Sequence, residues 1–279
     1  MADAESSVTV LSDADTAGLG TIRLRHPPGT FALTPASRIT VAAVGAERDR
    51  LEGAGIDWGS GVGCVAIAAA RIPAVRRVLG LEIVEANVQV ARENARANGV
   101  DARTEFHASD SYSPLRPGAR RALAELEGGA SFVVANPPAA RDGDGFGWRR
   151  EVARGAVRFL TPGGVFLVQV SSQYGMHRVR SLEGEGPGLR YDGVAATTDL
   201  QPFDLNDPAL RAPAELYAAT ERHGGPAYDF RWPGDPATSV PARDALRRFL
   251  EAGTSPLSRW QVHRFLYRPA QDPGATASR

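Results

Sequence analysis

Ala54-Gly-Ile-Asp57-Trp-Gly59-Ser-Gly61-Val-Gly63-Cys64, running directly into Val65-Ala-Ile-Ala-Ala-Ala70, is the stretch that decides the fold. Glycines at 59, 61 and 63 leave a backbone without Cβ atoms, able to turn sharply and to approach a ligand closely. The alanine-rich run that follows suits a helix, whose unpaired N-terminal N–H groups point back into the turn. Asp57 lies two residues before the first glycine, where a strand ending at Ile56 hands over to the loop. Such a loop sits at the carboxyl edge of a parallel sheet and is built to hold a small ligand. Spacing narrows the choice. A dinucleotide fingerprint needs G-x-G-x-x-G, and counting from Gly59 and Gly61 the third position is Cys64, which argues against a nicotinamide oxidoreductase.

The bulk properties agree with a soluble α/β protein. The 279 residues are 43% hydrophobic, enough for a sizeable core, and 32 basic residues balance 32 acidic ones. Every basic residue is arginine, which most simply reflects genome composition. No basic excess or stripe marks a grip on long nucleic acid. The single cysteine, Cys64, excludes an intramolecular disulfide framework and a cysteine zinc site. The first residues lack the basic and apolar regions of a signal peptide, and no apolar run approaches the ~18 residues of a membrane span. The reading is cytoplasmic.

Outward from the glycine loop the chain alternates. Residues 1–20 read as a flexible arm, although Thr21–Arg25 alternates like a short strand. A helix runs from a possible N-cap at Ser37 to about Gly53. Strands at 78–83, 104–108, 131–135 and 163–170 follow, separated by helices over 85–98, 117–128 and 148–160. Val194–Thr198 is a sixth strand, and Gln261–Arg268 a last one, antiparallel beside the fifth. The expectation is a seven-stranded, mostly parallel sheet with helices on both faces, its core spanning 21–200 and 261–268. Residues 201–260, rich in Pro, Gly and aromatics with one clear helix near 242–252, read as an insertion that could act as a lid. Residues 269–279 read as a flexible tail.

Strand ends then gather chemistry. Glu82 closes the second strand, where a carboxylate can accept from both hydroxyls of a ribose. Asp110 closes the third, where a carboxylate can accept an exocyclic amino group; Ser109-Asp110-Ser111 is also good turn chemistry. Asn136-Pro137-Pro138 follows the fourth. Consecutive prolines stiffen the backbone and offer carbonyls, so the Asn136 side chain and the Pro137 carbonyl can hold an N–H₂ group and aim its lone pair. The five histidines (26, 107, 177, 223, 263) show no metal-ligand spacing and read as structural, with His26 and His223 as weak general-base candidates. Trp148-Arg149-Arg150 reads as a solvated helix face.

Taken together, Asp57-x-Gly59-x-Gly61-x-Gly63, Glu82, Asp110 and Asn136-Pro137-Pro138 resemble the amino-methylating branch of the class I methyltransferases, which use S-adenosylmethionine (SAM) and have a Rossmann-like fold. The catalytic domains of release-factor glutamine methyltransferase and of small-domain ribosomal RNA guanine methyltransferases are the nearest in character. Ala91-Arg-Glu-Asn-Ala-x-x-Asn-Gly99, Leu160-Thr-Pro-Gly-Gly164 and Pro28-Gly-Thr-Phe31 add to the likeness, which covers about residues 28–175. The resemblance implies SAM as cofactor, S-adenosylhomocysteine as product and no metal. It implies cofactor contacts from Phe31, Thr34, Asp57, Gly59, Ser60, Gly61 and Gly63. Glu82, Ile83, Ser109, Asp110, Ser111 and Asn136 complete that set, and Asn136, Pro137 and Pro138 form the catalytic group.

Two departures stand out. Ala139 occupies the place where that branch carries an aromatic that stacks on a planar acceptor, leaving Phe31, Phe146 or Trp148 to fill the role. The N-terminal recognition domain of those enzymes is missing, which moves specificity to 201–260 with Tyr217, His223, Tyr228, Phe230 and Trp232; most of these aromatics are expected to form a satellite core. The expected reaction is methyl transfer to a nitrogen of a small molecule or protein side chain. An RNA base is the alternative acceptor, and a SAM-binding protein without catalysis the alternative of another class.

Overall fold

The computed structural model describes residues 7–270. Its elements begin with a hairpin, β1 (Ser7–Leu11) and β2 (Ile22–His26), followed by α1 (Pro35–Ala46). The alternating run is β3 (Gly53–Trp58), α2 (Cys64–Ala70), β4 (Val75–Glu82), α3 (Glu85–Ala97) and β5 (Thr104–Asp110). It continues with β6 (Ser113–Pro114), α4 (Pro117–Ala124), β7 (Ala130–Ala135), α5 (Gly147–Phe159) and β8 (Leu160–Ser171). α6 (Gly175–Glu185) and β9 (Leu189–Thr197) precede the insertion. The insertion holds β10 (Gln201–Pro202), α7 (Pro208–Arg222), β11 (Phe230–Trp232), β12 (Asp235–Val240), α8 (Ala242–Ala252) and β13 (Leu257–Ser258), and β14 (Trp260–Tyr267) returns to the sheet.

The main sheet has the order β6-β5-β4-β3-β7-β8-β14-β9. Strands β5, β4, β3, β7 and β8 run parallel, and β14 is antiparallel to both β8 and β9. The sheet therefore has eight strands where seven were expected; the extra one is the two-residue edge strand β6, too short to leave a periodic signal. Strand order reverses between β3 and β7, so the carboxyl ends of these two strands open a crevice, the place where such sheets bind ligands. Alternate side chains feed two cores. Val78, Phe132, Val134 and Leu167 pack with α1, α2 and α3 on one face; Ile56, Leu79, Val133 and Phe166 pack with α4, α5, α6 and the insertion on the other. Burial on both faces explains the near-continuous apolar strands.

Residues 7–20 depart from the flexible arm expected for 1–20, of which 1–6 lie outside the described residues. β1 pairs with β2 along its whole length, and Leu11 and Thr16 are buried. The outer edge of β2 is held by side chains. Asn94 and Asn98, one turn apart on α3, exchange hydrogen bonds with the backbone of Arg25 and Arg23, and Asn94 also donates to the Val62 carbonyl in the glycine loop. Part of the Asn-x-x-x-Asn pattern noted in the sequence thus docks the hairpin. α1 starts at Pro35, capped by Thr34 and not by Ser37, because Thr34 and Ser37 form a reciprocal capping box. The expected tail falls mostly on 271–279, outside the described residues.

The insertion packs against the sheet and its helices. Tyr217, Tyr228 and Phe230 are buried in the same core as α5 and α6, continuous with the main sheet core where a separate satellite core was expected. Tyr217 and Tyr228 stack at 4.3 Å, and the Tyr217 and Tyr174 hydroxyls meet at 2.5 Å. Helix α7 escaped the sequence reading because Pro213 lies inside it.

Candidate functional site

The sequence of β3 explains the site's first wall. Asp57, 2% exposed, accepts the Ala66 N–H at 2.9 Å and so caps the first turn of α2 from the strand end. Burial pushes its carboxyl up to about 7, the Ala66 hydrogen bond opposes this, and the nearby Glu82 charge adds to it. Asp57 thus supports the loop through one carboxylate oxygen. The Ser60 backbone N–H donates to the Leu81 carbonyl, and its hydroxyl lies where a Cβ added at Gly80 would meet it at 3.0 Å.

The three loop glycines all have positive φ, 71°, 53° and 93°. Their surroundings differ. A Cβ at Gly63 would press on Phe106 and Ala91, one at Gly61 on the Phe31 ring at 3.2 Å, and one at Gly59 would enter open space. Gly59 therefore presents bare backbone to the crevice, and Phe31 covers Gly61.

Glu82 already has work to do. Its Oε2 accepts the Gly61 N–H at 2.8 Å, and its Oε1 accepts the Val84 N–H at 2.8 Å and the Asn87 amide at 3.4 Å. The acid expected to receive two ribose hydroxyls spends most of its acceptor capacity on the loop and on α3. A ligand diol would share or displace the Gly61 bond. Asn87 extends the chain of contacts, since its Oδ1 accepts the Phe31 N–H at 3.1 Å. Ile83, next to Glu82, is 58% exposed, an apolar side chain standing at the sheet edge. Ser109 and Asp110 fall inside β5 and not beyond it. Asp110 is exposed, and its carboxylate makes no hydrogen bond among the described residues. Ser111 adopts φ 54° and accepts the Trp58 indole N–H at 2.9 Å.

Asn136 follows β7, whose Ala135 sits in register with Trp58 at the end of β3. Its amide donates to Ser37 Oγ at 3.3 Å, which turns Oδ1 away from α1 and leaves it free to accept. Thr34, expected at the cofactor, caps α1 and through Ser37 steadies Asn136. The Pro137 carbonyl accepts from Arg149 Nη2 at 3.0 Å, leaving one lone pair for an acceptor nitrogen, and the Pro138 carbonyl accepts from Arg149 Nη1 at 3.1 Å. Arg149 is 3% exposed, so the helix face carrying it is not solvated as predicted.

Of the aromatics weighed against Ala139, Phe146 is fully buried against Tyr174 and is unavailable; Phe31 lies on the glycine loop; Trp148 is 36% exposed with its ring 6.3 Å from Trp58. His26 is buried with Nδ1 at 2.9 Å from the Phe31 carbonyl, and His223 closes α7 with Nδ1 at 2.8 Å from the Ala219 carbonyl. Ser37, Asn87 and Arg149 are supporting residues that the sequence did not place at the site. Asn and Arg inside amphipathic helices carry no pattern that separates them from surface residues.

Residues 21–185 match the family described as Methyltransferase small domain. A 4-amino-L-phenylalanine/4-methylamino-L-phenylalanine methyltransferase of Streptomyces pristinaespiralis is 31% identical over 138 residues, covering 42% of this chain and 43% of that protein. A release factor glutamine methyltransferase of Moorella thermoacetica is 33% identical over 164 residues, covering 52% and 58%. The chain thus spans about half the length of the curated relatives it matches. The crystal structure of the tRNA m1G37 methyltransferase of M. jannaschii aligns with a TM-score of 0.52 at 10% identity, over 95% of this chain and 56% of that one, a likeness of fold alone. Strand order, the glycine loop and a match over more than half of the sequence lead to one assignment: this chain belongs to the methyltransferase small domain family.

Proposed function

We propose that this protein transfers a methyl group from SAM to a nitrogen of a small molecule or a protein side chain. The observation that carries the reading is Asn136: its amide N–H₂ is tied to Ser37, and its free Oδ1 stands one strand away from the open backbone of Gly59. The crevice fits such a cofactor. The space a Cβ would fill at Gly59 is clear, Ile83 offers an apolar face, and Asp110 a carboxylate without an internal partner. Gly59, Gly61 and Gly63 would hold the methionine part, Glu82 the ribose, and Ile83 and Asp110 the adenine.

The chemistry the cofactor supplies is an electrophilic methyl on sulfur, displaced in line by a nucleophile. The chain's own contribution is orientation. Asn136 Oδ1 and the spare lone pair of Pro137 would accept the N–H groups of the acceptor and turn its lone pair toward the crevice. Water is replaced there by fixed dipoles, and the nitrogen releases its proton to solvent after transfer. The curated relatives are named for a 4-amino-L-phenylalanine and for a release-factor glutamine, both nitrogen acceptors, which supports a nitrogen over oxygen or carbon. The balanced charge of the chain favours such acceptors over RNA.

Calorimetric titration with S-adenosylhomocysteine, SAM and NAD in parallel tests the cofactor. Micromolar binding of the first two and silence from NAD is expected; binding of NAD alone would overturn the reading. Methyl transfer is then assayed with 4-amino-L-phenylalanine and a glutamine-containing peptide. Cofactor binding without transfer to any acceptor would instead support a binding protein that lacks catalysis.

A further inference from the structure

Arg149 is a buried cation without an anion. Its Nε donates to the Gln169 carbonyl at 2.9 Å, Nη1 to the Pro138 carbonyl at 3.1 Å, and Nη2 to the Pro137 carbonyl at 3.0 Å and to Gln169 Oε1 at 3.1 Å. Its guanidinium lies 5.0 Å from the centre of the Tyr174 ring and 5.7 Å from that of Phe146. No carboxylate among the described residues pairs with it. Its neighbour Arg150 meets Asp144 at 2.6 Å, so a counter-ion was within reach of this helix turn and serves another arginine. Burying a charge this way is costly, and an apolar side chain of similar volume would spare that cost only by leaving three carbonyls and the Gln169 amide oxygen without their donor. What an apolar side chain could not supply is four donors in a fixed plane.

Those donors complete what the prolines leave open. Two consecutive prolines fix φ, and Pro138 confines ψ of Pro137 to an extended range roughly 40° wide, within which the Pro137 carbonyl can still swing. One guanidinium bonded to both carbonyls at once fixes that direction. Gln169 on β8 holds the guanidinium from the other side, and its own amide donates to Ser171 Oγ at 3.1 Å. We propose that Arg149, oriented by Gln169, is a positioning residue that sets the Pro137 carbonyl, and with it the aim of the acceptor nitrogen. The proposal rests on reading Asn136-Pro137-Pro138 as the acceptor site.

The test compares Arg149→Met and Arg149→Lys with the wild type for thermal unfolding, S-adenosylhomocysteine affinity, and kcat and KM on 4-amino-L-phenylalanine and the glutamine peptide. Arg149→Met is expected to melt below wild type, because it leaves the Pro137, Pro138 and Gln169 carbonyls without their donor, but to bind S-adenosylhomocysteine within a few-fold. Its kcat should fall roughly 100-fold, the usual consequence of about 1 Å of misplacement, with KM changing far less. Lysine, a point donor, should not rescue it. Wild-type kcat in Arg149→Met, or recovery in Arg149→Lys, would overturn the proposal. If Arg149→Met fails to fold, Gln169→Met takes its place, with an expected kcat loss of roughly tenfold, the worth of one hydrogen bond to a charged group; unchanged kcat there would likewise overturn it.

A further readout needs no acceptor. Amide hydrogen exchange at Ala140, whose N–H donates to the Gly145 carbonyl at 2.9 Å, should accelerate about tenfold in Arg149→Met while α1 stays unchanged. If the wild type methylates neither probe, the functional reading fails for those acceptors, and exchange alone decides the positioning claim: faster exchange upholds it, unchanged exchange refutes it.

Discussion

Replacing Asp57 by asparagine should change how stability depends on pH, and the size follows from the site. Asp57 is buried at the start of α2 and its folded pKa is about 7 against 3.8 in the unfolded chain. A raised carboxyl pKa means the folded state holds the proton more tightly. The associated stability is fully present below pH 3.8 and is lost as pH rises through 7, a total of about 4 kcal/mol at ~1.4 kcal/mol per pH unit. His263 works in the opposite sense. Burial in β14 lowers its folded pKa to about 4 from 6.5, so its contribution is present above pH 6.5 and lost as pH falls toward 4, about 3 kcal/mol in all. Between pH 4 and 6.5 the two slopes cancel in the wild type. Asp57→Asn removes one of them while keeping an oxygen for the Ala66 N–H. Urea unfolding at pH 4, 5, 6, 7 and 8 reads the result. The wild-type minus variant difference should shrink by about 4 kcal/mol from pH 4 to 8, and the variant alone should gain about 3 kcal/mol between pH 4 and 6.5. A difference that stays constant with pH would refute the reasoning, because it would mean that Asp57 ionises normally in the folded protein.

Other substitutions separate support from contact. Asn136→Ala should abolish methyl transfer while leaving S-adenosylhomocysteine affinity within a few-fold, measured by calorimetry and a radiolabel assay. Gly59→Ala places a methyl group in the open crevice at φ 71°, so thermal unfolding should show a loss of only about 1 kcal/mol while cofactor binding weakens severely. Gly80→Ala does the reverse of a site mutation: its Cβ would lie 2.4 Å from the Phe106 ring, and a loss of roughly 1–3 kcal/mol is expected in urea unfolding. Thr34→Ala removes the cap of α1 and should cost about 1 kcal/mol.

What the sequence made legible was whatever is local. The glycine loop, the parallel alternation, the antiparallel return of the last strand and the placing of Glu82, Asp110 and Asn136 at strand ends all follow from short-range pattern. What it hid depends on contacts between distant residues. Nothing local distinguishes Arg149 from Arg150, yet one is buried on proline carbonyls and the other pairs with Asp144. Asp57 sits where a ligand contact is expected, and nothing local foretells that the free N–H of Ala66 occupies one of its two oxygens. The N-terminal residues look aperiodic, because β1 gains its partner in β2 and β2 its anchors from asparagines about seventy residues away. Helix α7 was concealed by a single proline.

The position of β14 has a bearing on biosynthesis. This strand lies between β8 and β9, although it is made after both and after the whole insertion. Roughly ninety residues separate Ser171 from Trp260, an interval of roughly 5–20 s at ordinary rates of translation. During that time β8 has an open edge, with Val165, Leu167 and Val170 along it and no strand yet made to occupy the slot, the condition that invites pairing with another chain. The nascent protein is thus most exposed to aggregation late in its synthesis. A stop codon before residue 260 would remove an interior strand of the sheet, and the product would be expected to need a chaperone, not merely to lose stability.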